Sequence, residues 1–329
     1  MGILSEGGSL VETLVPLGLM NVATKMVEVI AINSVTEGVR RKRPVVVKRR
    51  NIHSEQLADL TNLYFRFADI PIRFWSKKEE WQRWEVDCFN MLNSDRFHAH
   101  AVGARMVIAD KLPGESLWEH LNRGMLTRRM LIAAATEFRR AHAFWCDEFR
   151  GRWSHGDASI TNVIYDAANN RARLIDFEIY HEKSLSTAAR QADDLLVFLL
   201  DLVGTVSTRH WMPFATTFLA AYGDVEVIAQ LRKQLDLPGG LAWIWWGVRT
   251  NFTNPGKVKQ RLANLSRAIA KMKFYDVKVS ARERSNRRAS ISCQMTSPGI
   301  PKPSSRRRAI KDRANALSPG IPRRLPTKT

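Results

Sequence analysis

The sequence predicts an α+β chain: a small strand-rich part first, a mainly helical part after it, and a basic tail. Three observations lead there. Two short β-branched runs, Met26-Val-Glu-Val-Ile-Ala-Ile32 and Pro44-Val-Val-Val-Lys48, lie between residues 23 and 49, and such runs favour strands. From residue 77 onward, apolar residues recur at spacings of three and four, the period of a helix with one buried face. At residue 278 the composition changes. Lys278 to Thr329 carries 14 Lys and Arg against 2 Asp and Glu, and none of the ten Trp or five Tyr.

The elements follow in order. Ser34 to Arg43, with Gly38, reads as the connection between the two β-branched runs. Lys77 to Leu92 reads as a helix, with Trp81, Trp84, Cys88 and Met91 on one face. Ala101 to Asp110 reads as one or two strands. Leu112-Pro-Gly-Glu-Ser116 then punctuates the chain before a helical start at Leu117 to Leu121. Leu131, Ala134, Phe138, Ala141 and Trp145 recur at helical spacing. Val163-Ile-Tyr165 and Ala172-Arg-Leu-Ile-Asp176 flank the polar turn Asp166 to Asn170, which predicts a β-hairpin. Asp194 to Val203 is apolar nearly all round, so it reads as a buried helix ending at Gly204. Val258, Leu262, Leu265, Ile269 and Met272 predict one more one-sided helix.

Charge and cysteine content bound the function. The 329 residues carry 51 Lys and Arg against 32 Asp and Glu, a net of +19. The tail from 278 to 329 holds +12 of this, leaving +7 for the body. Collagen, coiled coil and disulfide miniprotein are excluded by the Gly, heptad and Cys content. Cys88, Cys146 and Cys293 are odd in number and far apart, so a reducing compartment is expected rather than a disulfide framework or zinc site. No signal peptide is evident, and the most apolar run, Leu195 to Val203, is too short to span a bilayer. A cytoplasmic protein is the expectation. The tail is rich in Arg, Ser and Pro and repeats Ser297-Pro-Gly-Ile-Pro301 as Ser318-Pro-Gly-Ile-Pro322. It reads as a disordered arm, suited to nucleic acid or to an anionic membrane surface, which would place the protein at the inner face of a membrane.

One stretch carries chemistry. Trp153-Ser-His-Gly-Asp157 is followed by Asn162, five residues after the Asp, and by Asp176, 14 residues after the Asn. Phosphoryl transfer needs one carboxylate beside the attacking hydroxyl, and a second carboxylate with an amide oxygen to hold Mg²⁺ against the triphosphate. A hairpin sets its two ends side by side, so Asn162 and Asp176 could share a metal.

His155-Gly-Asp157, Asn162 and Ile175-Asp176-Phe177-Glu178 resemble the catalytic and metal loops of kinase-like phosphotransferases. The nearest forms are the aminoglycoside phosphotransferase and choline kinase group and the bacterial lipopolysaccharide Kdo-kinase group. The resemblance implies a protein-kinase-like bilobal fold: a β-rich N-lobe over residues 1–110, a helical C-lobe over 111–277, and the tail 278–329. It implies ATP and Mg²⁺ as cofactors, with Asp157 catalytic, Asn162 and Asp176 as metal ligands, and His155 bracing the loop. It further implies that Lys48 neutralises the α- and β-phosphates and that Glu85 positions Lys48, with Glu79 and Glu80 as rivals. The 37 residues from Lys48 to Glu85 then require an insertion around Phe65 to Trp75. Val107 to Gly114 resembles the interlobe hinge, so the backbone of Ala109 and Lys111 would meet adenine. The acceptor would be a hydroxyl of a small molecule or of a lipopolysaccharide-type sugar or lipid.

Other readings stand beside these. Lys48 lies among Arg40, Arg41, Lys42, Arg49 and Arg50, as a solvated basic strand would. His142 reads as a satisfied core histidine. Asp193 and Asp194 suit either an anchor for the catalytic loop or a helix N-terminal charge. Trp243, Trp245 and Trp246 suit core, a substrate-side wall or a cation–π cage. The segment Ser34 to Arg43 lacks the glycines of a phosphate-covering turn. No Ala-Pro-Glu segment follows Asp176, and His155-Gly-Asp157 lacks the Arg of His-Arg-Asp; both argue against a regulated protein kinase. The alternative function is a pseudokinase scaffold, or a protein that binds nucleic acid or an anionic surface through its tail.

Overall fold

The computed structural model describes residues 32–272. The expected strand Met26 to Ile32 falls almost wholly outside them, as do the tail, its repeated pentapeptide and Cys293. Two strands open the described chain, β1 (Asn33–Arg40) and β2 (Arg43–Arg50). Helix α1 (Ser54–Phe67), strand β3 (Ile72–Phe74) and helix α2 (Lys78–Asn93) follow. Next come β4 (Ala99–Val102), β5 (Met106–Asp110), β6 (Glu115–Ser116), α3 (Leu117–Asn122) and α4 (Arg128–His142). The short strands β7 (Trp145–Cys146) and β8 (Gly151–Arg152) precede a 3₁₀ turn at Ile160–Asn162. Strands β9 (Val163–Asp166), β10 (Arg171–Leu174) and β11 (Ile179–His181) come next. Five helices complete the described chain: α5 (Thr187–Thr205), α6 (Thr208–Tyr222), α7 (Val225–Lys233), α8 (Ala242–Arg249) and α9 (Pro255–Lys271). The fold is α+β, with a small sheet region and a helical C-terminal part.

The main sheet is antiparallel, in the order β1-β2-β5-β4. Its first hairpin departs from expectation. Residues 34–40, read as a connection, form β1 and pair with β2 from Asn33↔Arg50 to Arg40↔Arg43. The turn is Arg41-Lys42, both at positive φ (50° and 66°). Such a tight turn ordinarily takes Asn or Gly, so two basic residues conceal it in the sequence.

The span between Lys48 and Glu85 holds α1 and β3, and β3 pairs with β11. This is where the sequence required an insertion, which here begins earlier, at Ser54. The hairpin β9–β10 forms with Leu174 opposite Val163, and β6 adds to its edge. Gly114 permits this: its φ is 103°, and a Cβ there would lie 2.1 Å from the Tyr165 carbonyl oxygen.

Helix α4 buries Leu131, Ala134, Phe138 and Ala141 completely, and the Thr127 hydroxyl caps it. Trp145, expected on the same face, lies beyond the helix end and is exposed. Helix α5 is buried along most of its length, as its all-round apolar sequence demands. It begins earlier than expected, capped by Ser186, and continues through Gly204. That glycine is a contact point, not a stop: a Cβ would lie 2.3 Å from the Thr250 carbonyl oxygen. Phe198 of α5 stacks on Phe218 of α6, centroids 4.2 Å apart, and Phe138 of α4 meets both edge-on. Helix α9 starts with Asn254 as cap and Pro255 in its first turn, and buries Val258, Leu262, Leu265 and Ile269.

Candidate active site

The loop from Ser154 to Asn162 is shaped by what holds its backbone. Asp194, fully buried in α5, accepts from the His155 amide at 2.7 Å and from the Gly156 amide at 2.8 Å. The turn needs its glycine: Gly156 has φ 88°, and a Cβ would approach the Ile179 carbonyl oxygen to 2.8 Å. Asp194 also lies 3.0 Å from His142 Nε2, while His142 Nδ1 lies 2.9 Å from the Tyr222 hydroxyl. A carboxylate only accepts, so Nε2 carries the proton. His142 is therefore a satisfied core histidine, and Asp194 anchors the loop. Burial alone would raise the Asp194 pKa, but the imidazoles of His181, His142 and His155 outweigh it and bring it to about 2.

His155 braces the loop in two directions. Its Nδ1 accepts from the Asp157 amide at 3.2 Å, and its Nε2 donates to the Ile175 carbonyl at 2.9 Å. The second bond ties the turn to the segment just before Asp176. Asn162 makes the next tie. Its Nδ2 donates to the Asp157 backbone carbonyl at 2.9 Å, and the Asn162 backbone carbonyl accepts from the Ile175 amide at 3.0 Å. The amide group is thus oriented with nitrogen toward Asp157, and Oδ1 keeps only a long contact, 3.4 Å, with the Thr161 hydroxyl.

Asp176 sits at φ 70°, a left-handed conformation that a non-glycine residue adopts at a cost. Its carboxylate meets Lys48 Nζ at 2.7 Å. The same ammonium lies 2.5 Å from Glu85 Oε1, and Glu85 Oε2 accepts from the Phe177 amide at 2.9 Å. β2, α2 and the turn after β10 therefore converge on one cluster. Burial disfavours the Lys48 charge, but Asp176 and Glu85 overcome this and hold the ammonium above its ordinary pKa. Burial likewise works against the Asp176 carboxylate, and Lys48 keeps it ionised. Glu178, bonded by the Asn33 side chain, is raised to about 8 by burial and by the neighbouring Asp176 charge. The rivals of Glu85 are elsewhere: Glu80 pairs with Lys77 and Glu79 with Lys78 at the surface.

Ala109 and Lys111 stand apart from this cluster. Ala109 is in mid-ladder between Val46 and Ala99. The Lys111 amide donates to the Pro44 carbonyl at 3.0 Å, and its ammonium pairs with Glu37 at 2.6 Å.

Two residues of the site escaped the sequence reading. Arg249, the last residue of α8, forms an ion pair with Asp157 through Nη2 and Oδ1. Its guanidinium lies over the Trp245 ring, 4.3 Å from the centroid. An Arg closing a Trp-rich helix was the available signal, but nothing linked it to a loop 92 residues earlier. Asp201 of α5 accepts from the Ile160 amide at 3.0 Å. Burial raises its carboxyl to about 6, opposed by the Arg249 charge.

Asn162 Oδ1 and the Asp176 carboxylate offer neutral and charged oxygen donors, the chemistry that suits Mg²⁺. Two protein oxygens are few, but Mg²⁺ keeps waters and substrate phosphates as its remaining ligands. The orientation of Asn162, with its nitrogen engaged and its oxygen spared, fits that use.

No protein-family model matches the chain, and no curated protein does. Among solved structures, an ethanolamine kinase from Plasmodium vivax is similar over 74% of this chain and 80% of its own, at 8% identity and a TM-score of 0.41. A Mycobacterium tuberculosis protein solved in complex with erythromycin matches 73% of this chain and 74% of its own, at 16% identity and a TM-score of 0.33. The bifunctional kinase-methyltransferase WbdD matches 74% of this chain and 44% of its own, at 17% identity and a TM-score of 0.33. Two of the three are kinases by description.

Proposed function

We propose that this chain is an ATP- and Mg²⁺-dependent phosphotransferase that moves the γ-phosphoryl group to a hydroxyl of a small molecule or of a lipopolysaccharide-type sugar. One observation carries the reading: Lys48 lies between Glu85 and Asp176, at 2.5 and 2.7 Å, in a cluster tied by Ile175 to the Asp157–Asn162 loop. A buried ion cluster is a weak source of stability, because the desolvation of its charges offsets their attraction. Its presence beside an oriented Asp–Asn pair speaks for chemistry on a polyanion.

Each residue then has a task. Lys48, kept charged and aimed by Glu85, would neutralise the α- and β-phosphates. Asp157 would orient the acceptor hydroxyl and take its proton as the oxygen bonds to the γ-phosphorus and the bond to the leaving ADP oxygen breaks. Asn162 and Asp176 would hold Mg²⁺, which neutralises charge on the phosphates when bound. The Lys111 carbonyl, just past the end of β5, is the proposed contact for adenine, since the Lys111 amide is already bonded to Pro44 and Ala109 is paired on both sides. His155 and Asp194 act through the backbone and position the loop. ATP chemistry suits the cytoplasm, and among the described residues no helix is long and apolar enough to cross a membrane. The basic residues 278–329 would serve as a tether to an anionic membrane surface or to nucleic acid.

The test is a thermal-shift titration with MgATP, followed by an ATP-consumption screen over sugars, aminoglycosides, choline and lipid headgroups. Asp157→Asn should lower turnover by about 10²–10⁴-fold, and Asp176→Ala should abolish it. Both should remain folded by circular dichroism in the absence of nucleotide. Full activity in either variant overturns the assignment. A wild-type protein that MgATP fails to stabilise would favour a scaffold working through the tail.

A further inference from the structure

Arg249 reaches the Asp157 carboxylate from α8, and it is held rigidly. Its side chain is 11% exposed. Trp245 supports it from below and is itself fixed edge-on against Phe65, centroids 5.1 Å apart. The helix end therefore presents a preorganised, partly desolvated guanidinium at the place where an acceptor hydroxyl would have to sit.

Its hydrogen bonding is incomplete. Nη2 faces Asp157 Oδ1, but Nε is buried with no hydrogen-bond partner among the described residues. Nε and Nη2 share the guanidinium edge that grips a carboxylate or phosphate with two parallel bonds. Here one half of that edge meets Asp157 and the other half meets nothing. A buried donor left without an acceptor has lost its water and gained nothing in return. Asp157 Oδ1 also lacks a well-aligned hydrogen bond, so the contact is a charge pairing that a better-fitting anion can replace. Asp157 Oδ2 has only a long contact, 3.4 Å, with the Asn162 amide nitrogen, so it remains open to the hydroxyl that Asp157 activates. Asp201, whose ionised form the Arg249 charge also favours, is committed to the Ile160 amide.

We propose that Arg249 binds a carboxylate or phosphate carried by the acceptor itself, close to the hydroxyl that Asp157 activates, so that the enzyme selects anionic acceptors over neutral and cationic ones. This rests on the phosphotransferase reading of the site. The acceptor anion would complete the empty edge of the fork and draw Nη2 off Asp157, coupling acceptor binding to release of the base. An ammonium group at the same place would face the guanidinium and be repelled. Arg249 is thereby a specificity residue, positioned by Trp245.

Four compounds of one ring scaffold test this on the full chain: glucuronate, glucose 6-phosphate, glucose and glucosamine. Thermal shift is recorded for each with and without MgATP, and ATP consumption with it. The two anions should give saturable shifts at concentrations at least about tenfold below glucose, with glucosamine weakest. Arg249→Gln should erase that ranking. Arg249→Lys should restore part of it, because a point charge attracts an anion without matching its two oxygens. Circular dichroism of both variants establishes that they are folded. The proposal is overturned if glucosamine binds as well as glucuronate, if Arg249→Gln keeps the anion preference, or if neither anion gives a saturable shift. Failure of the underlying reading looks different: MgATP leaves the wild type unstabilised, while anion shifts measured without nucleotide still report on Arg249.

Discussion

Two carboxylates of one helix hold the two ends of the catalytic loop, and they titrate in opposite directions. Asp194 and Asp201 are seven residues apart on α5, two turns and therefore one face. Asp194 takes two amides, those of His155 and Gly156, and is surrounded by three imidazoles. Asp201 takes one amide, that of Ile160, and the nearby Asp157 charge works against its ionisation. The first is held near pKa 2 and the second near 6. The His-Gly-Asp end of the loop is thus locked by a charge that is present across the working range. The Asn end rests on a carboxyl that gains its charge only in mid-range. The Asp157 turn is thus held by a carboxylate charged throughout, and the Ile160 end by one whose charge depends on pH.

Asp194→Asn attacks the locked end and should have the largest effect. Asn offers one oxygen where two amides now donate, and its NH₂ would face a donor, so one buried N–H loses its partner and the charge of the acceptor is lost. Breaking a buried, charge-assisted network of this kind costs about 3–5 kcal/mol, read as a lower unfolding midpoint in urea. The pH dependence has a definite sign. A depressed folded-state pKa contributes stability that is full above the unfolded value of about 4 and is lost as pH falls toward about 2. The variant should lack that acid limb. An equal slope between pH 4 and 2 in both proteins would show that Asp194 is not the anchor.

Asp201→Asn probes the Ile160 end. Asn imitates the neutral acid and can still accept from Ile160. A raised folded-state pKa means that the wild type loses stability as pH rises from about 4 to about 6, because the unfolded chain ionises first. The variant has no such loss. Its stability relative to wild type should therefore rise by about 2 kcal/mol between pH 4 and pH 7, since a tenfold difference in acidity between folded and unfolded chain is worth about 1.4 kcal/mol. A constant difference across that range would mean that Asp201 is not the titrating group.

The residues within the loop were legible because their relations are local. Asp157, Asn162 and Asp176 lie within 20 residues, and the Asn-rich turn between β9 and β10 announces the hairpin that joins the last two. The one-sided repeats of α4 and α9 were equally plain. Contacts between distant segments were not. Lys48 and Glu85 came from resemblance and not from any pattern in a basic strand and a Trp-rich helix. Asp194 was one of two equal readings, since sequence does not say whether a helix-start acid faces solvent or a loop. Arg249 and Asp201 escaped because their meaning lies in a tertiary neighbour. Helix α1 escaped because Leu60, Leu63 and Phe67 are exposed, which blurs its apolar face. Strand β1 escaped because its turn is Arg-Lys.

Ser159→Ala should have the smallest effect and sharpens the comparison most. The Ser159 hydroxyl accepts from the Thr161 amide at 3.2 Å and lies 2.8 Å from the Thr161 hydroxyl, capping the short turn that carries Asn162. Losing a cap of this kind costs about 1 kcal/mol. The same hydroxyl is one of the groups that favour the ionised form of Asp201 against its burial. Removing it should push the Asp201 pKa further up, so the fall in stability with pH should extend to higher pH than in the wild type. No such coupling reaches Asp194, whose partners are His142, His155, His181 and Gly156, so the acid limb below pH 4 should stay where it is. If both limbs move together, the two ends of the loop are one cooperative unit, and Asp201 does not hold its end independently of Asp194.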